Sequence, residues 1–245
     1  MPDDAPRAAL ITGGAARVGR AVALHLAQRG WDVAVTYNAS AGQATTLAER
    51  VEGLGRECVL IQADFADPPA AAAKVAEVVS RRFRRLDLLL HNASLYQRVG
   101  LLEVTHDALR RLLAIHAETP VLLTQRLASM LRAAGGSVIA MSDEQLERPG
   151  PAYAAYCLSK AAMENAVKSL ARELAPEVTV NAIAPGVVAW PDDMPEASRR
   201  RYLKRVPLRR AGTPEDVARL VEFLCTGGRY VTGQVIRLDG GRSVR

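Results

Sequence analysis

Seven short apolar runs, at 8–12, 32–36, 58–62, 86–91, 137–141, 178–183 and 235–238, recur along the 245-residue chain with helical patterns between them. The helical stretches fall at about 18–29, 42–54, 70–83, 105–133, 153–174 and 214–225. Strands that are apolar on both faces and separated by helices cannot form an antiparallel sheet wetted on one side. They demand a mostly parallel sheet covered by helices on both faces. The expected fold is therefore α/β: a single Rossmann-type, doubly wound domain over residues 1–245, with a seven-stranded sheet. No linker, low-complexity tract or internal repeat interrupts the pattern. The segment 185–206 is the least regular, with three prolines and few periodic apolar positions. Such a segment reads as a binding loop.

The first run ends in Thr12-Gly13-Gly14-Ala15-Ala16-Arg17-Val18-Gly19, and a helix follows. Small residues let backbone amides approach a pyrophosphate, and the helix start adds free N–H groups and a positive dipole. Gly13, Arg17, Val18 and Gly19 are the candidate cradle. Arg17 has three roles open to it: bracing the pyrophosphate, bridging it to a substrate, or facing solvent. The second run leads into Tyr37-Asn38-Ala39-Ser40, without the acid that an NAD site places there for the ribose 2′-hydroxyl. Asn38 and Ser40 can instead donate to a 2′-phosphate, which favours NADPH; alternatively they form a polar turn that touches nothing.

Composition narrows the class of partner. Lysines and arginines number 32 against 26 acids, a net charge of +6, but aromatic residues make up only 4%. A stacking surface for nucleic acid is not expected, and the clusters 81–85 and 199–201 read as solvated helix ends. The three cysteines are odd in number and widely spaced, as in a reducing compartment. The acidic start shows no secretion signal, and no apolar run is long enough for a membrane span. A cytoplasmic protein without metal is expected, since His25, His91 and His106 share no ligand spacing.

Tyr156-Cys-Leu-Ser-Lys160 adds chemistry to the cradle, because residues four apart share a helix face. A nearby ammonium is expected to lower the phenol's pKa. With Ala63-Asp64, His91-Asn92-Ala93, the run from Val180 to Pro185-Gly186, and the run from Tyr230 to Gly241, these residues resemble the short-chain dehydrogenase/reductase family from Ala8 onward. The resemblance implies that Asp64 and Asn92 line the adenosine side of the cofactor and that Ala93 is a further cofactor contact. It also implies that Pro185 and Gly186 lie near its nicotinamide, that Lys160 holds the nicotinamide ribose, and that the protein is a homotetramer.

Two departures from the family pattern are informative. Arg17 stands where most members have glycine, and Asp143 stands thirteen residues before Tyr156, where most have serine. Both resemble the pteridine reductase branch, as do Asn92-Ala-Ser94-Leu-Tyr96 and Asp192-Asp-Met-Pro195. That branch implies substrate contacts from Arg17, Ser94, Tyr96, Asp143 and Tyr156, with Tyr96 stacked on a pterin; packing beneath its loop is the other role for Tyr96. Catalysis is expected from Asp143, Tyr156 and Lys160, the first two as a coupled proton donor, unless a one-residue shift brings Ser142 into the site instead. Many members carry a catalytic asparagine at the place of His116; a histidine there resembles the bacterial dihydromonapterin reductases, and it reads equally well as a hydrogen-bonded helix residue. Three functions stay open: NADPH-dependent reduction of a small pterin-like C=N substrate, reduction of a ketone such as a 3-ketoacyl thioester, and redox-silent sensing of NADP(H).

Overall fold

The computed structural model describes residues 5–191 and 194–244, so residues 1–4, the Asp192-Asp193 pair and Arg245 lie outside the described residues. The strands are β1 (Ala8–Ile11), β2 (Asp32–Tyr37), β3 (Cys58–Gln62), β4 (Leu88–His91), β5 (Ser137–Met141), β6 (Thr179–Pro185) and β7 (Val235–Leu238). They form one sheet in the order β3-β2-β1-β4-β5-β6-β7, and every neighbouring pair is parallel. The helices are α1 (Arg17–Ala27), α2 (Ala41–Glu52), α3 (Pro68–Arg82), α4 (His106–Leu113), α5 (Thr119–Ala134), α6 (Ala154–Glu173), α7 (Glu196–Leu203) and α8 (Pro214–Thr226).

Continuous apolar strands arise because alternate residues feed two different cores. Ala8 and Leu10 of β1 join α3, α5 and α6 on one face, while Ala9 and Ile11 join α1, α2 and α8 on the other. Leu89 and Leu90 of β4 divide the same way. Each buried aliphatic side chain contributes roughly 1.5–3 kcal/mol, so a one-residue slip would place every strand residue against the wrong layer. Strand order reverses between β1 and β4, and the connections leaving their C-terminal ends diverge to opposite faces. A crevice opens at such a switch point.

Two elements differ from the pattern in the sequence. The helical stretch at 105–133 is continuous in direction but contains a π turn, Ala114–Glu118, between α4 and α5. Pro120 lacks an N–H, so the ordinary bond to the carbonyl of His116 cannot form, and Thr119 N–H reaches back to Ala114 O. The loop 185–206 contains α7, which buries none of its residues. Without an apolar stripe it leaves no periodic signal; its residues are charged helix formers, with Glu196 and Arg200 paired one turn apart.

The basic cluster at 81–85 is drawn into ion pairs with Glu77, Glu57 and Asp87. Among the described residues no helix is long and apolar enough to cross a membrane.

Helix α8 begins with a full capping box, in which Thr213 Oγ1 accepts from Asp216 N–H and Asp216 accepts from Thr213 N–H. Replacing Thr213 with alanine should lower the unfolding free energy by about 1 kcal/mol in urea denaturation.

Candidate active site

The loop after β1 is closed by a clasp from β4. Thr12 Oγ1 accepts from the amides of Asn92 and Ala93 at 2.9 and 3.0 Å. Asn92 Nδ2 donates to the carbonyls of Thr12 and Gly13 at 2.9 and 3.0 Å. The space left is only large enough for glycine. A Cβ on Gly13, which has φ +61°, would meet Ala93 Cα at 2.9 Å, and one on Gly19 would meet Asn92 Nδ2 at 2.7 Å. The cradle thus brings backbone, without side-chain bulk, up to the start of α1, and these residues fit a pyrophosphate.

Arg17 is the exception to small residues there, with φ +49°. A non-glycine residue in the left-handed region costs about 1–2 kcal/mol, which accounts for the family's usual glycine. The strained residue sends its guanidinium across the cleft, where Nη2 donates to Ala189 O at 3.0 Å. Arg17 therefore joins the cradle to the loop after β6. At the base of that loop a Cβ on Gly186 would meet Tyr202 Oη at 2.9 Å, and Tyr202 Oη accepts from Val187 N–H at 2.9 Å. Tyr202 lies under Arg242, 4.7 Å from its ring centroid, and Arg242 pairs with Glu144. A residue near the C-terminus thus braces both α7 and the turn beside Asp143.

The cleft between these loops has a volume of about 980 Å³. That is the top of the roughly 300–1,000 Å³ range of single-ligand sites. Thr36, Tyr37, Asn38 and Asp64 line one end, and Ser94, Tyr96, Asp143, Tyr153 and Tyr202 line the other. Asn38 and Asp64 are exposed, and the residues directly after β2, Asn38 to Ser40, include no carboxylate.

At the second end Tyr156 Oη donates to Asp143 Oδ2 at 2.7 Å. Asp143 Oδ1 accepts from Gln145 N–H at 2.8 Å, so the carboxylate is held at the head of a short turn. Ser142 points the other way and donates to Glu164 on α6. The aspartate, not the serine, therefore meets the phenol. Lys160 Nζ donates to Met141 O at 2.6 Å and lies 6.0 Å from the Tyr156 ring centroid.

Electrostatics corrects one expectation. Tyr156 is 3% exposed, and burial, reinforced by Asp143, raises its pKa above that of a free phenol. The lysine does not reverse this, because burial weakens the ammonium itself and lowers Lys160 to about 8, although Asp143 and Glu164 pull it upward. The phenol is consequently a protonated donor and not a phenolate.

Tyr96 stands over this pair. Its ring stacks on Tyr153 at 5.2 Å, meets Tyr156 edge-on at 5.0 Å, and remains 58% exposed. Its hydroxyl donates to Gln145 at 3.0 Å. The expected site residues gather here as follows. Gly13, Arg17, Val18, Asn38, Asp64, Asn92, Ala93, Pro185 and Gly186 line the cleft with Ser94, Tyr96 and Asp143, while Gly19, Tyr156 and Lys160 lie behind its wall. Ser40 makes no cap bond at the start of α2 and is not a cleft-lining residue.

Sequence reasoning did not single out Tyr153, Gln145, Tyr202, Glu144 or Arg242. Tyr153 lies one helical turn before Tyr156 and could have been found by that spacing. The other contacts span up to 98 residues and have no local signal. All three cysteines are unpaired, and among the described residues no cluster of three His, Cys, Asp or Glu could hold a metal.

Comparison with known proteins gives a consistent picture. A family profile described as enoyl-(acyl carrier protein) reductase matches residues 13–243. Dihydromonapterin reductase of Klebsiella pneumoniae is 35% identical, covering 100% of both chains. The 3-oxoacyl-[acyl-carrier-protein] reductase FabG of Staphylococcus aureus is 33% identical, over 96% of this chain and 97% of the relative. Among solved structures, FolM alternative dihydrofolate reductase 1 from Brucella canis, complexed with NADP, is 33% identical with a TM-score of 0.88, over 97% of this chain and 94% of that one.

The burial of Lys160 has a sign that can be measured. Between about pH 8 and 10.5 the native protein sheds a proton that the unfolded chain keeps, so this residue's contribution to stability rises with pH. Unfolding free energies measured across that window should rise less steeply in Lys160→Met than in the parent protein.

Proposed function

This chain belongs to the short-chain dehydrogenase/reductase family, and from that premise we propose that it is an NADPH-dependent reductase of a pterin-like C=N bond. The protein is an oxidoreductase; the proposal concerns its substrate, cofactor and residues. The observation that carries the reading is the Tyr156–Asp143 hydrogen bond of 2.7 Å, with Ser142 turned away.

Bound NADPH supplies the hydride, and the protein supplies position and the proton. Carbon accepting hydride from a C=N bond leaves electron density on nitrogen, which must gain a proton as it does so. Tyr156 gives its phenolic proton to that nitrogen, and Asp143, the carboxylate that accepts the phenol's hydrogen bond at rest, relays a replacement proton to it from the cleft. Asp143 is half-buried at the edge of the cleft, so that proton comes from solvent and its transfer leaves Asp143 a carboxylate again. Lys160 orients the nicotinamide ribose, and Asn38 accommodates the 2′-phosphate because no acid opposes it. Gly13, Val18 and Gly19 hold the pyrophosphate. Arg17 ties that end of the site to the loop over the substrate, and Tyr96 stacks on the flat heterocycle after leaving Tyr153. The presence of NADP in the Brucella canis structure and the names of the Klebsiella and Brucella relatives support this reading.

A second reading, reduction of a 3-ketoacyl thioester, is favoured by the near-equal identity to the Staphylococcus relative. A ketone needs a neutral donor beside its developing alkoxide. An ionised aspartate in hydrogen-bond contact with that donor opposes the charge.

Loss of NADPH absorbance, followed with a dihydropterin and separately with an acetoacetyl thioester, separates the two. The pterin should be turned over, with kcat falling by about 10²-fold or more in Tyr156→Phe and in Asp143→Ser. Turnover of the thioester alone, unaffected by Asp143→Ser, would overturn the proposal.

A further inference from the structure

Behind the Tyr96 loop runs a second chain of polar groups that the proton delivery above does not use. His116, carried on the π turn, is 1% exposed. Its Nε2 lies 2.9 Å from Ser94 Oγ and accepts the backbone N–H of Leu95 at 3.2 Å. Its Nδ1 lies 2.8 Å from Ser159 Oγ, and Ser159 donates onward to the carbonyl of Tyr156 at 2.7 Å.

The hydrogens of this chain follow from elementary chemistry. A backbone amide can only donate, so the Nε2 that receives it presents a lone pair. Neutral imidazole then carries its hydrogen on Nδ1 and donates it to Ser159. Ser159 is able to accept because its own hydrogen goes to Tyr156 O. Ser94 Oγ, 2.9 Å from a nitrogen without hydrogen, must supply the hydrogen between them. Burial, with the ammonium of Lys160 next in importance, holds the ring far below its usual pKa. Its other neighbours, Ser94, Leu95, Ser159 and the phenol of Tyr156, carry no charge.

We propose that His116 is a positioning residue that fixes the polarity of Ser94, taking the serine's only hydrogen and leaving its oxygen an acceptor toward the cleft. Ser94 is exposed on the cleft wall, two residues from Tyr96. An acceptor-only oxygen favours a ligand edge that brings an N–H, such as the ring N–H or amino group of an aminopyrimidinone. It offers nothing to a bare carbonyl. An asparagine at this position would not impose that choice, because its amide can turn either a donor or an acceptor toward the serine. The inference rests on the pterin reading for the identity of the ligand, and gives that reading a ground independent of Asp143.

The test has a spectroscopic arm and a kinetic arm. In the full-length protein labelled with nitrogen-15 histidine, His116 should show a protonated Nδ1 and a bare Nε2, unchanged between about pH 5 and 8. A protonated Nε2, or a ring that titrates in that range, would overturn the proposal whatever the substrate. In the kinetic arm, His116→Phe should raise KM for a dihydropterin about tenfold and leave kcat and the NADPH Kd within about twofold, as loss of one ligand hydrogen bond requires. Ser94→Ala should do the same. An unchanged KM in both soluble variants, or equal losses in kcat and NADPH binding, would contradict it. A parent enzyme that turns over no pterin would end the pterin reading alone, because the tautomer is still read from the ring nitrogens.

Discussion

The clasp between Thr12 and Asn92 is the interaction on which the site depends. It joins the C-terminal ends of β1 and β4, where the strand order reverses and the connections part. Without it the two loops would be free to separate, and the cradle would lose the floor against which Gly13 and Gly19 pack. The groups of the clasp, the Thr12 hydroxyl, the Asn92 side-chain amide and backbone N–H and C=O groups, are all satisfied inside the protein. The site is therefore assembled before any ligand arrives, so less of the binding energy is spent on ordering.

Burial decides the chemistry at the other end. Tyr156, Lys160 and His116 are all nearly inaccessible, and in each case desolvation is the largest influence on protonation. It keeps the phenol protonated, weakens the ammonium and holds the imidazole neutral. The result is a site with one half-buried carboxylate, Asp143, in contact with the phenol and at the edge of the cleft. That arrangement suits a proton passed inward through a carboxylate and a phenol. It does not suit a lysine-activated phenolate.

The layer architecture was legible because each strand feeds two cores and so reads as unbroken apolar sequence. The cradle was legible because close backbone approach demands glycine at fixed places. Asp143 was legible by its spacing from Tyr156, but its orientation relative to Ser142 was not, since one residue of turn decides it. The sign of the Tyr156 shift was misread because spacing shows a nearby lysine and is blind to burial. Helix α7 and the Tyr202–Arg242–Glu144 brace were hidden for a different reason. The helix has no apolar stripe, and the brace joins residues far apart in the chain that meet only after the sheet has formed.

The central claim is that Asp143 acts through Tyr156, and a double-mutant cycle on kcat/KM for a dihydropterin tests it most directly. The account predicts strong coupling. Asp143→Asn should cost about 30-fold or more in the parent enzyme yet less than about threefold when Tyr156 is already phenylalanine. Losses that simply multiply would contradict it, and would make the aspartate an independent contact to the substrate.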